Sequence, residues 1–399
     1  MKIVAPAVLA LLLLTTSAIA QIKINLPKVG PKATPTPQTT PNPKANPGNQ
    51  NPTNPTNAGI SDYPLKPVPN ENAVFMKATL DIRCDTVDTY WKMGANKSNY
   101  TSWVPQVKFK VFYKGAEKLR FKADYFLPNG AAWYSEPLDS GMSNANEGTV
   151  EIQSPRGSNK HENTSTDAVG LFGIKISDKN GDVVFEGKYK VAKYKPDALP
   201  KIPMWKNVYT YFVEQDWNLP IGYVWLDYSR DQWSPMPAVT MWLKGEYRLG
   251  DLEARLFYNG AQIATTDDMG EVSNKQSRFP NRNDDKAASQ WTEYVMVWYK
   301  FHAFLHPRGG MKYPQAKFMR DMPGDYAVKL FYQGTQIREL SFKVGSDGNL
   351  VDNGIAVNNK LGDMKFVVPV KVTSTEKWNQ LSWKTEAFYG NPLAGFSAP

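Results

Sequence analysis

Cysteine is nearly absent from this chain of 399 residues, in which Cys84 stands alone. A single thiol cannot form a disulfide within one chain, so the folded parts must be held together by hydrophobic cores. Cys84 lies in a run typical of a strand, which predicts a buried, small apolar side chain. The alternative is a disulfide to another molecule. A catalytic thiol is not expected, because no histidine is close to it in sequence.

Histidine is also scarce, with only His161, His302 and His306. Few bases are therefore available for nucleophilic catalysis, and no Gly-x-Ser-x-Gly elbow accompanies them. His302 and His306 have the four-residue spacing that zinc sites use on helices. The aromatic and β-branched residues of 291–301 favour a strand instead, on which the two imidazoles would be about 13 Å apart. We therefore expect neither a metal site nor a nucleophilic triad.

Carboxylates are the remaining candidates for chemistry, since the sequence has no glycine-rich phosphate-binding loop. They comprise Asp216, Asp227, Asp231, Asp267, Asp268, Asp284 and Asp285. Paired acids can hydrolyse glycosides, but acids in the loops of a β protein are usually solvated. Residues 178–182 and 347–352 resemble fragments of calcium loops, yet each supplies too few oxygen ligands. Tight turns are the expected interpretation of both, and no cofactor is predicted.

Apolar runs long enough to cross a membrane are missing, and the run at the N-terminus has another interpretation. Met1-Lys2 is a short basic start, residues 3–14 are apolar, and Ala18-Ile19-Ala20 carries small residues before Gln21. This pattern predicts a cleaved signal peptide over residues 1–20. A membrane anchor needs about 20 apolar residues, and no cysteine follows for lipid attachment. We expect a secreted, periplasmic or cell-surface protein without a transmembrane segment.

Apolar side chains are sparse from residue 21 to 70, where proline, asparagine and threonine dominate. Because so few side chains could be buried, folding would not offset its entropy cost, and a disordered spacer is predicted. Five lysines against one aspartate give this segment +4 of the chain's net charge of +9. The remaining excess is small and contains no arginine cluster, so nucleic acid is not an expected partner.

Strand patterns dominate beyond residue 70. In residues 107–113, β-branched and aromatic side chains alternate with polar ones, which predicts a strand with one buried face. Turn signals recur, most of them the Asn-Gly pair that supplies positive φ angles to tight hairpins. They lie at 129–130, 180–181, 259–260, 333–334 and 353–354. Together these patterns predict an all-β, antiparallel fold.

An internal repeat is the most informative feature of the sequence. One set of residues, Trp103, Pro105, Lys114, Gly115, Leu119, Asn129, Gly130 and Ala131, recurs 130 residues later as Trp233, Pro235, Lys244, Gly245, Leu249, Asn259, Gly260 and Ala261. A second block, 173–191, recurs at 327–344, so the second copy carries an insertion of about 23 residues within 265–320. The length and turn spacing predict two tandem, internally duplicated β-sandwich domains of immunoglobulin-like or fibronectin-like kind.

The predicted domain boundaries follow from the repeat. The first β-sandwich covers 71–196 and the second, with its insertion, covers 201–345. Two prolines within 195–200 suit a short, stiff connection between them. Residues 346–399 hold one further strand and a tail that is too rich in aromatic residues to be disordered. We expect this tail to pack back on the sandwiches.

Tryptophan is the best functional lead, with twelve in the chain. Four of them have no counterpart in the first copy and are the candidate ligand-binding residues, namely Trp217, Trp225, Trp291 and Trp298. Exposed rings could stack on sugars or dock a protein. The competing interpretation is that they fill a core or the interface between the domains.

The sequence therefore predicts an exported, non-enzymatic protein that binds or scaffolds an unknown protein or glycan partner at the cell envelope by surface recognition. Two alternatives remain open. One is a carbohydrate-binding or carbohydrate-cleaving protein that uses the aromatic residues of the second domain. The other is an envelope structural or assembly subunit whose sheet edges pair with other chains.

Overall fold

The computed structural model describes residues 73–88, 101–113, 115, 118–144, 148–155, 164–195, 206–278, 291–307, 309–310, 315–362, 365–384 and 393–399. The predicted signal peptide, the spacer, His161, Asp284 and Asp285 lie outside these ranges, as does most of the predicted junction. Regular structure in the described residues is almost entirely β strand in two large antiparallel sheets. This confirms the predicted all-β, antiparallel class.

The first sheet contains eight strands. They are β1 (Val74–Asp88), β2 (Thr101–Phe112), β3 (Phe121–Phe126), β4 (Ala132–Asn144), β5 (Thr149–Gln153), β6 (Gly170–Asp178), β7 (Val183–Tyr194) and β8 (Thr210–Val213). Their order across the sheet is β1-β2-β5-β4-β3-β6-β7-β8. The long strand β4 joins the two halves of this order, because residues 132–138 pair with β3 and residues 139–144 pair with β5.

The second sheet contains nine strands, and two short strands and a helix accompany it. In chain order these elements are β9 (Ile221–Asp227), β10 (Met236–Lys244), β11 (Leu252–Tyr258), β12 (Ala261–Thr265), β13 (Gly270–Arg278), β14 (Trp291–Trp298), β15 (Phe301–His302), β16 (Lys317–Phe318), β17 (Gly324–Tyr332), β18 (Thr335–Val344), α1 (Ile355–Asn358) and β19 (Phe366–Val372). The order of the sheet is β12-β11-β17-β18-β19-β9-β10-β14-β13, and β15 pairs with β16 in parallel.

Each sheet encloses a hydrophobic core of its own. Strands alternate between inward apolar and outward polar side chains, as β7 does, so one face of every strand is free to be buried. All eight strands of the first sheet contribute to its core, which surrounds the fully buried Trp103. The core of the second sheet draws on β9, β10, β11, β14, β17, β18 and β19.

Four of the five predicted turn signals connect adjacent strands. They join β3 to β4, β6 to β7, β11 to β12 and β17 to β18. Asn259-Gly260 has φ values of 46° and 84°, and Gln333-Gly334 has 48° and 79°, so both residues of each pair adopt the left-handed region that tight hairpins require. The fifth signal, at 353–354, precedes α1 instead, and Gly354 lies at the start of that helix.

The pairings of two strands near the predicted boundaries show which sheet each one joins. Strand β8 follows the predicted junction at 195–200 and pairs with β7 in the first sheet. Strand β19 lies in the predicted C-terminal segment, yet it pairs with β18 and β9 inside the second sheet. Sequence pattern alone does not reveal which edge a strand joins. In the described ranges, no helix is long and apolar enough to cross a membrane.

Candidate functional site

The four candidate tryptophans do not share one surface. Trp298 is 1 % exposed in the core of the second sheet, where its Nε1 donates to the carbonyl of Ala254 at 3.2 Å. Trp291 is 2 % exposed but lies on the opposite face of β14, since side chains seven residues apart on a strand point to opposite sides. Trp217 and Trp225 are half-buried and pack in a third cluster. The structure thus distributes the set over three packing environments.

Trp291 lies where the two sheets meet. It forms a cluster with Leu219 and Trp242, against which Phe212 of β8 and Trp378 of the C-terminal segment also pack. The ring centroids of Phe212 and Trp291 are 5.9 Å apart. This cluster, named the upper joint here, therefore joins the last strand of the first sheet to the outer side of β10 and β14.

A buried carboxylate organises the upper joint. Asp216, in a 3-10 turn at Asp216–Asn218, is 3 % exposed. Its oxygens accept hydrogen bonds from Trp291 Nε1 at 2.9 Å and from the backbone amide of Asn379 at 2.8 Å, and Lys244 Nζ lies 2.8 Å away. A buried carboxylate is tolerated only when its oxygens are paired in this way. Asp216 thus links the connection between the sheets to β10, β14 and the C-terminal segment.

Trp217 and Trp225 belong to a second cluster between the sheets, named the lower joint here. Its buried members are Ile221, Tyr223, Ile355, Ala356, Leu361, Val367, Leu393 and Phe396, and Ala78 of β1 packs against them. The backbone amide of Lys77 donates to the carbonyl of Leu361 at 2.6 Å, which fixes β1 to the segment after α1. Lys365 Nζ lies 4.6 Å from the centre of the Trp225 ring, a cation–π contact.

His302 and His306 pack inside the second half of the molecule. His302 Nδ1 lies 2.8 Å from the carbonyl oxygen and 2.9 Å from the hydroxyl oxygen of Ser234, and that hydroxyl donates to the carbonyl of Phe304 at 3.1 Å. His302 Nε2 lies 3.1 Å from the carbonyl oxygen of Tyr299. Ser234 and His302 are both buried, so their side chains fasten the segment after β14 to the segment before β10.

The predicted strand through both histidines is shorter than expected. Strand β15 ends at His302, and the buried His306 lies beyond it with its ring centroid 4.8 Å from that of Trp233. The amide of His306 donates a hydrogen bond to the carbonyl of Trp233 at 2.8 Å, which holds the segment after β15 against the segment before β10. Within the described residues, no group of three or more His, Cys, Asp or Glu could hold a metal ion.

Three further candidate aspartates, Asp227, Asp231 and Asp268, have partners within the second half of the molecule. Asp227 Oδ1 accepts a hydrogen bond from the amide of Ser229, and Asp231 Oδ1 accepts one from the amide of Trp233. Asp268 forms an ion pair with Lys300 at 3.2 Å. The calcium-like stretches are tight turns, as expected. Asp178 Oδ1 accepts from the amides of Asn180 and Asp182, and Asp347 Oδ1 accepts from that of Asn349. The Asn349 contacts, both side chain and backbone, lower the pKa of Asp347.

Cys84 is half-buried and packs against the core of the first sheet. Burial raises the pKa of its thiol well above the usual value, and the neighbouring Asp85 carboxylate raises it further. A thiol with a raised pKa is a poor nucleophile at neutral pH, since the thiolate is the reactive form. The sequence predicts a buried, small apolar side chain, and the structure shows Cys84 packed on the core but only half-buried.

The outer face of β11 and β17 carries an ordered set that sequence analysis missed. Arg255 and Lys329 lie opposite each other, and each cation covers an aromatic ring of the neighbouring strand. The Arg255 guanidinium carbon is 4.0 Å from the ring centre of Phe331, and Lys329 Nζ is 4.9 Å from that of Phe257. The alternation of apolar and polar residues in both strands predicts which side chains point outward. It does not predict the pairing register of β11 with β17, which brings these four side chains together.

Glu253 completes this outer face. Its carboxylate accepts two hydrogen bonds from Arg255, at 2.9 and 2.7 Å, and one from Thr265 Oγ1 at 2.6 Å. The hydrogen bonds from Arg255 are the main cause of its lowered pKa. The side chains on this face are therefore held in fixed orientations although they are only half-buried.

Comparison with protein-family models and with curated proteins found no match, so the function is argued from the site alone.

Proposed function

We propose that this chain is an exported, non-enzymatic binding or scaffolding protein, built from two tandem copies of one immunoglobulin-like or fibronectin-like β-sandwich. The two sheets support the duplication through their strand order. The second sheet can be divided between β19 and β9 into two parts. One part runs β9-β10-β14-β13, and the other runs β12-β11-β17-β18-β19. In the first sheet the corresponding parts are β1-β2-β5-β4 and β4-β3-β6-β7-β8, so the single long strand β4 stands in place of both β13 and β12.

The sequence repeat supports the same equivalence. The 130-residue offset relates β2 to β10 and β3 to β11, and the offset of about 153 residues relates β6 to β17 and β7 to β18. The copies differ in how their first and last strands meet. Strand β19 pairs with β9, whereas the equivalent β8 contacts β1 without a ladder between them. This arrangement supports the proposed sandwich, which requires two packed half-sheets around one core.

The observation that carries the function is the way the sheets are joined. Trp217, Trp225 and Trp291 and the buried Asp216 all lie in the two joints. Large aromatic residues at a joint fix the geometry between two modules, and a fixed geometry is what a scaffold needs to present its outer faces. Export is part of the proposal and rests on the signal-peptide pattern of residues 1–20.

Glycan binding is the second candidate, favoured by the outer face of β11 and β17. Phe257 and Phe331 supply aromatic surface, and Glu253 and Arg255 supply charged hydrogen-bonding groups in fixed positions. Such a combination suits a polyhydroxyl ligand. Trp217 and Trp225 keep part of their surface open and remain candidates for the same role.

Site-directed photo-cross-linking in the native host tests the proposal. A photo-reactive residue replaces Ser341 on the outer face of β18 or, as the matched control, Lys188 at the equivalent position on β7; both side chains are exposed. We expect a discrete adduct of constant mass from position 341, and a weaker one or none from position 188. Parallel co-sedimentation of the full chain with polysaccharides separates a glycan partner from a protein partner. Turnover of a glycan by the purified chain, or the absence of any adduct and any bound glycan, would contradict a binding protein.

A further inference from the structure

The part of the chain after β19 contacts both sheets without being a strand of either. Strand β19 ends at Val372, and the described residues 374–384 and 393–399 lie outside the two large sheets. The equivalent strand of the first copy, β8, runs almost directly into the turn at Asp216–Asn218 and has no such extension. From the contacts described below we infer that these residues, named the strap here, lock the two sheets into one cooperatively unfolding unit.

One end of the strap is anchored in the second sheet. The side chain of Arg338 on β18 is fully buried, and its guanidinium pairs with the carboxylate of Glu376. It also donates to Ser374 Oγ at 2.7 Å and to the carbonyl of Trp242 at 3.2 Å, while the Tyr247 hydroxyl donates to Glu376 at 2.6 Å. This anchor satisfies a buried cation, so strap and sheet depend on each other.

From this anchor the strap continues over the upper joint. The amide of Asn379 donates to Asp216, the carboxylate that also holds Trp291 and Lys244. Trp378 packs in the cluster that contains Phe212 of the first sheet. The strap therefore covers the place where β8 meets the second sheet.

The other end of the strap covers the lower joint. Leu393 and Phe396 are buried there together with residues of β9, α1 and β19, and Ala78 of β1 packs against the same cluster. Asn359 and Ala394 exchange two hydrogen bonds, at 2.8 and 3.0 Å, which hold this end next to α1. Trp383 meets Phe396 edge to face at a centroid distance of 5.5 Å.

Two joints sealed by one segment explain why neither sheet should unfold alone. Separating the sheets would expose Phe212 and Trp291 at one joint and Ala78 and Tyr223 at the other, and the strap would have to leave both. These contacts are lost only when the two sheets separate, so they couple the unfolding of one sheet to that of the other. The inference concerns coupling within the chain and does not depend on the identity of any partner.

Differential scanning calorimetry of the full chain tests the strap. The double variant Trp378→Ala/Phe396→Ala removes one packing residue from each joint and leaves the anchor at Glu376 intact. We expect one transition for the unmodified chain and two for the variant, with the ratio of van't Hoff to calorimetric enthalpy falling from near one to roughly one half. The matched control is Leu381→Ala, which truncates a side chain of the same strap that is 61 % exposed and should preserve the single transition.

Native-state hydrogen exchange on the unmodified chain supplies a measurement that needs no variant. We expect the slowest amides of β2 and of β10 to exchange with the same free energy of opening. Two transitions in the unmodified chain, or unequal opening of the two sheets, would overturn the inference. A double variant that melts earlier but in a single transition would overturn it too, because the strap would then stabilise without coupling.

Discussion

The two large sheets hold a buried charged side chain in different ways. In the first, the buried Glu136 accepts hydrogen bonds from Tyr125 OH and Ser154 Oγ, both at 2.7 Å. In the second, the buried Arg338 depends on Glu376, which lies outside the sheet in the strap. The two hydroxyls that donate to Glu136 belong to strands of the first sheet or directly follow one, whereas the pairing of Arg338 requires another segment to be in place. The second sheet therefore relies on the strap for a buried ion pair.

The largest expected effect comes from breaking the buried ion pair. Arg338→Ala leaves the Glu376 carboxylate without its cation, which should lower the free energy of unfolding by about 3–5 kcal/mol. Glu136→Gln keeps an oxygen acceptor for the two hydroxyls in the first sheet and should cost about 1 kcal/mol. Urea titrations of both variants measure the difference. If the two variants lost the same free energy of unfolding, the Arg338 ion pair would contribute no more than the hydrogen bonds of Glu136, which would contradict the comparison.

A second comparison uses the equivalent tryptophans Trp103 and Trp233. Trp103 is fully buried and donates to the carbonyl of Ala168 at 2.9 Å, so Trp103→Ala should cost about 3–5 kcal/mol. Trp233 is half-buried against His306, and Trp233→Ala should cost about 1–2 kcal/mol. The same urea titration applies. If Trp233→Ala lowered the free energy of unfolding as much as Trp103→Ala does, Trp233 would contribute as much as a fully buried core residue, which would contradict this account.

Alkaline pH should weaken the first sheet through Tyr211, whose pKa burial raises to about 12. The unfolded side chain ionises near pH 10. Because the folded pKa is the higher one, this tyrosine contributes stability fully below about pH 10 and loses that contribution as the pH rises to about 12. Stability measured at pH 8 and pH 11.5 should fall more in the unmodified chain than in Tyr211→Phe. If the free energy of unfolding fell equally in the unmodified chain and in Tyr211→Phe, the Tyr211 hydroxyl would have no role in this pH dependence.

The smallest expected effect concerns the outer faces. Arg255→Ala removes a cation–π contact and a bidentate ion pair at a half-buried site and should cost about 0.5–1 kcal/mol. Lys122→Ala, on β3 of the first sheet, removes an exposed ion pair with Asp124 and should cost less than about 0.5 kcal/mol. Thermal midpoints of the two variants provide the measurement. If both were neutral, the ordered outer face of the second sheet would not contribute to folding.

Local patterns account for the parts of the fold that could be predicted. The alternation in 107–113 identifies β2, and pairs such as Asn259-Gly260 identify hairpins, because both signals depend on neighbours in sequence. The sequence leaves open whether Trp291 and Trp298 are buried or exposed, since a strand pattern does not reveal what covers each face. Asp216 is the clearest case, because its partners Lys244, Trp291 and Asn379 come from distant parts of the chain.

Hydroxyl-radical footprinting with mass spectrometry, read tryptophan by tryptophan, tests most directly the central claim that these residues build cores and joints. We expect Trp103, Trp291 and Trp298 to be oxidised most slowly in the folded chain, and Trp217 and Trp225 at intermediate rates, all relative to the denatured chain. Oxidation of Trp291 and Trp298 at nearly the denatured rate would contradict the account. It would instead make the second sheet's tryptophans an open ligand-binding surface.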